Sequence, residues 1–592
     1  MRVLLSIVVA AGLQLHADSN PAATIETLLV QAREAQARSD FHAAADAYRQ
    51  AAALRPDVAE LWSNVGLMCH ESREFRQAED AFGRALRLNQ SLFVPNLFLG
   101  LDLLDLQRPR EAIPYLVKAE KLDSRDPQPP LALGRAYHTL LEPEKSLASY
   151  QRAAALAPRN GDVWYGMGLA YFGLAEKAGA KLAASFWGSA YVARLAADAF
   201  VEQGRLAEAR NAYRAALEAP GTRPRCTHAS YGFLLILSGD PAHAQQEFAS
   251  DTGCPDARVG LARLRFDSGA HHDAMALLGD LARSDPEGFD AALPRFWQGL
   301  DGQEITDRLA KLRQSGGPMA EVVAARLSNG VRSAPLLEAE RPVPEFAAGG
   351  LERFASNTFL DGHYLRTALA SERLMEKYPN NPAGWYWAVR ANQKLGIAAL
   401  ARASEVEPDS PGIHALLGDV YQRRRMFEEA REEYEKVLAV SPGSVAGLAG
   451  LAAVDFADGK VEVAQDAAQR ALARSPEDGE INLLMGEILV ARKQYADAEP
   501  YLERALKARA DLLARVHALL GRVFAMTGRE AEAIEELRQG LASDDDGSVH
   551  YQLARLYQKT GNTKAAEAAF AESKRIRARN DELAQKELVP GG

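Results

Sequence analysis

Small side chains recur at two nearly fixed places about every 34 residues along this chain, and that self-similarity constrains its fold more than any other feature. The unit spanning 59–90 shows why. Its stretch WSNVGLMCH (62–70) has apolar residues at three- and four-residue spacings, which gives one helix a greasy face. A polar turn, ESREF, follows. QAEDAFGRALRLN (77–89) then restores the helical period, with Ala78, Phe82 and Ala85 on one side. Small residues in both segments, Gly66 and Ala78, let the two helices approach closely. Such a pair forms an antiparallel hairpin whose apolar faces neither helix hides alone, so the next hairpin must cover them. The expected fold is all-α, with a core that grows along one axis.

The same unit returns along most of the chain. WYGMGLAY (164–171), LALGRAY (131–137), ALLGDVY (415–421), LLMGEIL (483–489) and ALLGRVF (518–524) read as first helices. AADAYRQAAALRP (44–56), SLASYQRAAALAP (146–158), EARNAYRAALEAP (208–220), EAREEYEKVLAVSP (429–442) and VAQDAAQRALARSP (463–476) read as second helices. Each second helix ends at a proline, which cannot continue it. The aromatic near the start, the Leu-x-x-Gly-x-x-Tyr stretch and the Ala, aromatic, Ala, Pro spacing together resemble the tetratricopeptide repeat. That resemblance implies a right-handed α-solenoid of stacked hairpins that binds peptides or proteins on its concave face.

Two units depart from the pattern alike. From 161 to 189 and from 382 to 410 the repeat is five residues short, lacks its polar turn, and carries Trp164-Tyr165 or Trp385-Tyr386 near its start. The two lie 221 residues apart. Without the turn, either one helix runs on or the hairpin tightens. Between 289 and 347 the pattern fades, punctuated by Gly316-Gly317-Pro318 and Arg341-Pro342-Val343-Pro344. The organisation predicted is two arrays, 25–288 and 348–580, around an irregular helical joint at 289–347, which is a linker or a degenerate repeat. The C-terminal helix expected at 563–588 is rich in charge (KRIRARNDE, 574–582), as suits a cap whose outer face meets water, and a tail follows at 581–592. The first residues order Arg2, an apolar run over 3–15 and Ala17 as a secretory leader does, so 1–17 is expected to direct export to the periplasm or extracellular space. No later segment is long and apolar enough to be a transmembrane helix.

A net charge of −10 argues against bulk nucleic-acid binding. No HExxH, Walker loop, GxSxG or Cys-x-x-Cys is present, so no catalytic, cofactor or metal residues are expected. His271-His272-Asp273 reads as a solvated polar turn. Cys69 takes a core position and reads as a buried thiol. Cys226 opens a first helix and Cys254 follows the second helix of the same hairpin. Those ends are neighbours, which permits a disulfide or leaves two free thiols.

The groove expected of such a stack is read from the first helices at positions two, five, nine and twelve of each unit. In the N-terminal array these include Leu97, Leu101, Leu104, Tyr165, Leu169 and Phe172, an apolar stretch that is either ligand-facing or core. In the C-terminal array they include Arg390, Gln393, Lys394, Gln422, Arg423, Arg522, Arg555, Gln558 and Lys559, tempered by Asp419 and Glu487. This is either a basic groove suited to an acidic segment or a solvated face. The function expected is a non-enzymatic protein-interaction scaffold. The alternatives are an accessory or substrate-binding subunit of an envelope glycosyltransferase- or peptide-processing system, which perturbed titratable groups near Trp297 would favour, and a structural spacer.

Overall fold

Among the described residues a hairpin doubles back at one residue with positive φ. In the first four repeats that residue is Ser39, Arg73, Gln107 and Leu141, spaced 34 apart with φ between 57° and 60°. Later repeats mostly use glycine there, as at Gly239, Gly269 and Gly459, although Lys493 takes the same conformation at φ 62°. A left-handed residue satisfies the last carbonyls of one helix and turns the chain into the next. Side chains cap some of the following helices: Asp40 accepts from the Ala43 amide and Asp240 from that of His243.

The computed structural model describes residues 21–300, 302–315, 318–328, 343–423, 426–508 and 512–588. The leader expected at 1–17 lies outside them, as do Gly316, Gly317, Arg341, Pro342 and residues 589–592. Among the described residues the regular structure is helical, without a strand, and no helix is long and apolar enough to cross a membrane. The fold is an all-α solenoid in two compact units.

The first unit runs to Val406. It holds α1 (Pro21–Ala37), α2 (Phe41–Leu54), α3 (Ala59–Glu71), α4 (Phe75–Leu88), α5 (Phe93–Asp105), α6 (Pro109–Leu122), α7 (Gln128–Thr139), α8 (Pro143–Leu156) and α9 (Gly161–Ser185). These are followed by α10 (Ala190–Glu202), α11 (Leu206–Glu218), α12 (Thr227–Leu237), α13 (Pro241–Ala249), α14 (Pro255–Asp267), α15 (His271–Ser284) and α16 (Pro286–Ala292). The unit closes with α17 (Gly302–Ser315), α18 (Pro318–Ser328), α19 (Ala348–Leu360), α20 (Tyr364–Lys377) and α21 (Pro382–Val406). The second unit, from Glu407, stacks five hairpins: α22 (Pro411–Arg423) with α23 (Phe427–Val440), α24 (Val445–Ala457) with α25 (Val461–Leu472), α26 (Gly479–Ala491) with α27 (Tyr495–Ala505), α28 (Leu513–Met526) with α29 (Glu530–Gln539), and α30 (Ser548–Lys559) with α31 (Thr563–Leu588).

Inside an ordinary hairpin a glycine of the first helix receives a side chain sixteen residues later. A Cβ at Gly66 would stand 2.5 Å from the Phe82 ring, at Gly134 2.8 Å from Tyr150, and at Gly418 2.7 Å from Tyr434. Only glycine leaves that space, so the pair sets the helix–helix distance. Position four adds a second tie. The Trp62 and Trp164 indoles donate to the carbonyls of Pro56 (3.2 Å) and Pro158 (2.9 Å), and the Asn482 amide does the same to Pro476 (2.9 Å).

In both shortened units the helix runs on, and α9 and α21 are each 25 residues long. Gly168 occupies the receiving position of α9, yet Ala184, sixteen residues on, is exposed. The side chain that meets Gly168 is Leu400 of α21, 2.9 Å from where its Cβ would be. Reciprocally, Val389 of α21 meets Gly179 of α9 at 3.7 Å, and the Phe172 ring meets Gly396 at 2.8 Å. Under the 221-residue offset Gly168 corresponds to Val389 and Gly179 to Leu400, so the two contacts are one contact seen twice. The long helices therefore cross antiparallel about a local pseudo-twofold axis. Each offers its N-terminal half as a first helix and its C-terminal half as the other's missing second helix.

Candidate functional site

The exchange divides the first-helix faces of the first unit into an open set and a closed one. On α3, α5, α7 and α9 the residues Leu67, Leu101, Leu104, Leu131, Leu169 and Phe172 are half-buried and follow one another from repeat to repeat. Tyr165 is also half-buried, whereas Leu97 is 2 % exposed and belongs to the core. Phe172 ends the stripe against α21. Polar groups accompany it. The His70 ring pairs at 2.5 Å with the fully buried Asp102, Arg135 is exposed, and burial pushes the Asp105 carboxyl up.

On α10, α12 and α21 several equivalent residues are inside: Tyr191, Arg194, Asp198, Phe233 and Tyr386 are buried. On α14 Asp256 and Arg263 are buried on neighbouring positions, while Leu261 and Leu264 stay half-buried. The segment folds back on itself: the Tyr191 hydroxyl donates to Glu352 of α19 (2.7 Å), Arg225 to Asn357 of α19 (3.4 Å), and Tyr386 of α21 to Asp198 of α10 (3.1 Å). Asp198 is the hub. It accepts from Arg194 Nε at 3.0 Å and from the Tyr213 hydroxyl at 2.8 Å, and it faces Arg390 at 3.7 Å. Burial alone would raise its pKa; Arg194 and then Arg390 hold it well below the usual carboxylate range. Burial pushes the Tyr386 phenol up to about 12. Arg194 also donates to Ser230 (2.6 Å) and Thr227 (3.3 Å), so its guanidinium is tied to α12 as well.

The basic positions expected of the C-terminal array separate between the units. Arg390, Gln393 and Lys394 lie on α21, and both cations are internally engaged. Arg390 faces Glu202 at 3.6 Å and lies over the Phe359 ring, and Lys394 faces Glu202 at 3.8 Å. Burial pulls the Lys394 amine down. In the second unit Gln422 accepts from Tyr434 at 3.5 Å, and Lys559 pairs with Glu530 at 2.5 Å. Arg423 stands on α22, with its side chain outside the described set. Arg522, Arg555 and Gln558 are exposed. Asp419 accepts from Tyr434, and Glu487 pairs with Arg515, its carboxyl pushed up by burial. The second unit's first-helix face is thus of mixed charge.

Models described as tetratricopeptide repeat match residues 29–92 and 194–237, 411–444 and 547–580, and 455–523. The chain carries tetratricopeptide repeats. No curated protein matches it. Among solved structures it is similar to "MamA MSR-1 C2" (22% identity over 29% of this chain and 98% of that one, TM-score 0.26). It is also similar to YrrB, described as a tetratricopeptide protein with an unusual peptide-binding site (19% identity, 32% and 97% covered, TM-score 0.27). A third is pilF of Pseudomonas aeruginosa (22% identity, 31% and 95% covered, TM-score 0.26). Tetratricopeptide repeats are typically protein-interaction modules without catalysis of their own.

Within this tetratricopeptide chain the two cysteines of the 225–256 hairpin are brought together. Cys226 precedes α12 and Cys254 precedes α14; their Cα atoms are 5.5 Å apart and their sulfurs are joined. Cys69 is a free, buried thiol pushed up by burial. His271, His272 and Asp273 form the first turn of α15, with His271 stacked on Phe266 at 4.5 Å. Sequence reasoning missed the Asp198 hub. Its signal was Arg194 and Asp198, four residues apart on a first-helix face where a tetratricopeptide groove is normally wet.

Proposed function

We propose that the protein is a non-enzymatic interaction scaffold that takes an extended protein segment along the first-helix face of α3, α5, α7 and α9. One observation carries the reading. Half-buried leucines line that face repeat after repeat, while on α10, α12 and α21 equivalent positions are taken by the buried Tyr191, Arg194, Asp198, Phe233 and Tyr386. A run of apolar contacts with Arg135 and His70 beside it suits a segment with spaced apolar side chains and an acidic one among them. The mixed charge of the second unit's first helices supports a second, more polar contact there, with Arg522 and Arg555 as its cations. The leader-like residues 1–17 are read as an export signal that places this work in the periplasm or outside the cell.

The accessory-enzyme reading keeps one supporting observation. Asp256, buried and pushed up by burial, faces Arg295 at 3.3 Å, two residues from Trp297. A carboxylate sealed in this way has no path to a substrate, so the scaffold reading is preferred. A photo-crosslinking residue at Leu101, expressed in the native cell, should capture a protein that the same residue at exposed Ala184 does not. Equal capture from both positions refutes binding at this face.

A further inference from the structure

A second carboxylate-bearing cluster lies away from the open face. Cys226, Cys254 and Asp251 each bring a ligand atom to one place, the three atoms lying within 4.8 Å of one another. The fold builds this convergence from three separate places. Cys226 is held just before α12 at φ 60°, a left-handed conformation that costs a non-glycine residue about 1 kcal/mol. Asp251 follows α13, where its carboxylate accepts from the Ala229 amide at 3.4 Å, which orients it toward α12. Cys254 caps α14, and its amide donates to the Asp251 carbonyl at 2.8 Å, which fixes the loop between them.

With the sulfurs joined, neither is a thiolate and the cluster offers a metal only one carboxylate. With the sulfurs reduced, the same backbone presents two thiolates and a carboxylate. That donor set, completed by one water, suits tetrahedral zinc. Cα atoms 5.5 Å apart allow two Zn–S bonds of about 2.3 Å after side-chain rotation alone. We propose that Cys226, Cys254 and Asp251 form a redox-gated site for a soft divalent cation such as Zn²⁺, closed by the disulfide and opened by a dithiol reductant. The exchange balances. One protein disulfide and one external dithiol give two protein thiols and the external disulfide, and the two thiol protons leave as the metal binds. Arg225 shares the Asp251 carboxylate electrostatically, so metal binding must displace that attraction.

Cobalt(II) titration of the full chain tests this, in a Cys69→Ala background so that no other thiol contributes. The reduced protein should bind one equivalent and show a thiolate-to-cobalt charge-transfer band with tetrahedral d–d bands, while the oxidised protein shows neither. Cys254→Ser should at least halve the charge-transfer band by removing one of the two thiolates, and Asp251→Asn should weaken binding at least tenfold. Circular dichroism confirms that each variant keeps its helices. The oxidised-against-reduced comparison needs no substitution in the cluster. No thiolate band in the reduced protein, equal binding by the oxidised protein, or unchanged affinity in Asp251→Asn overturns the site.

Discussion

Replacing Asp198 with alanine should destabilise the first unit by about 3–5 kcal/mol, the cost of leaving a buried guanidinium without its counter-charge. The arrangement explains the size. Asp198 takes hydrogen bonds from Arg194, Tyr213 and Tyr386 and faces Arg390, and all of these lie inside the closed segment. Alanine removes three acceptor contacts at once and leaves Arg194 held by neutral groups of α12. The pH dependence has a definite sign. The folded carboxyl is held below its unfolded value, so its contribution is present above the unfolded pKa, near 3.9. It is lost as pH falls through the folded pKa, so the wild-type protein should lose stability below about pH 4 more steeply than Asp198→Ala does. Urea titration followed by tryptophan fluorescence reads this directly, because all six tryptophans precede Glu407 and four fall between 187 and 387. The pair replacement Arg194→Met with Asp198→Leu should recover at least half of the loss, since it removes the stranded charge. A loss below about 1 kcal/mol for Asp198→Ala, or an unchanged acid limb, would refute the assignment of Asp198 as the hub.

Three further outcomes follow from local geometry. Leu141 has φ 57° and an almost bare side chain, so Leu141→Gly should raise stability by about 0.5–1.5 kcal/mol in thermal melts. Gly168→Leu should cost about 1–3 kcal/mol by forcing apart α9 and α21, seen as a lower melting midpoint with the second unit's exchange protection unaltered. Reduction of the Cys226–Cys254 bond, whose partners are 28 residues apart, should lower stability by about 3.5 kcal/mol in the chain-entropy model, read as a shift of the urea midpoint. No shift means that the bond is absent from the protein in solution.

The hairpins were legible because they are local. A helical apolar period, a small residue at each crossing and a proline at each exit act within one repeat, and α1 to α8 follow them. The run-on of α9 and α21 was legible too, since deleting a turn leaves one continuous helix as one of two outcomes. What the two helices then do was not. Gly168 finds Leu400, 232 residues away, and no pattern within a repeat announces so distant a partner. The groove suffered for the same reason. Positions two, five and nine say which side of a helix faces inward, but only closure of the chain decides whether that side stays half-buried, as at Leu101, or is buried, as at Asp198. Arg390 and Lys394 looked available in the sequence because Glu202, which engages both, belongs to a repeat far upstream.

The central claim is that α9 and α21 complete each other and so close the segment between them, leaving α3 to α9 as the open face. The most direct measurement joins them covalently. Gly179→Cys with Val389→Cys, in a Cys69→Ala background, should crosslink within a single chain under mild oxidation, with the 179–389 peptide pair recovered by mass spectrometry from monomeric protein. Failure to crosslink, or crosslinks formed only between two chains, would contradict the exchange and with it the assignment of the open face.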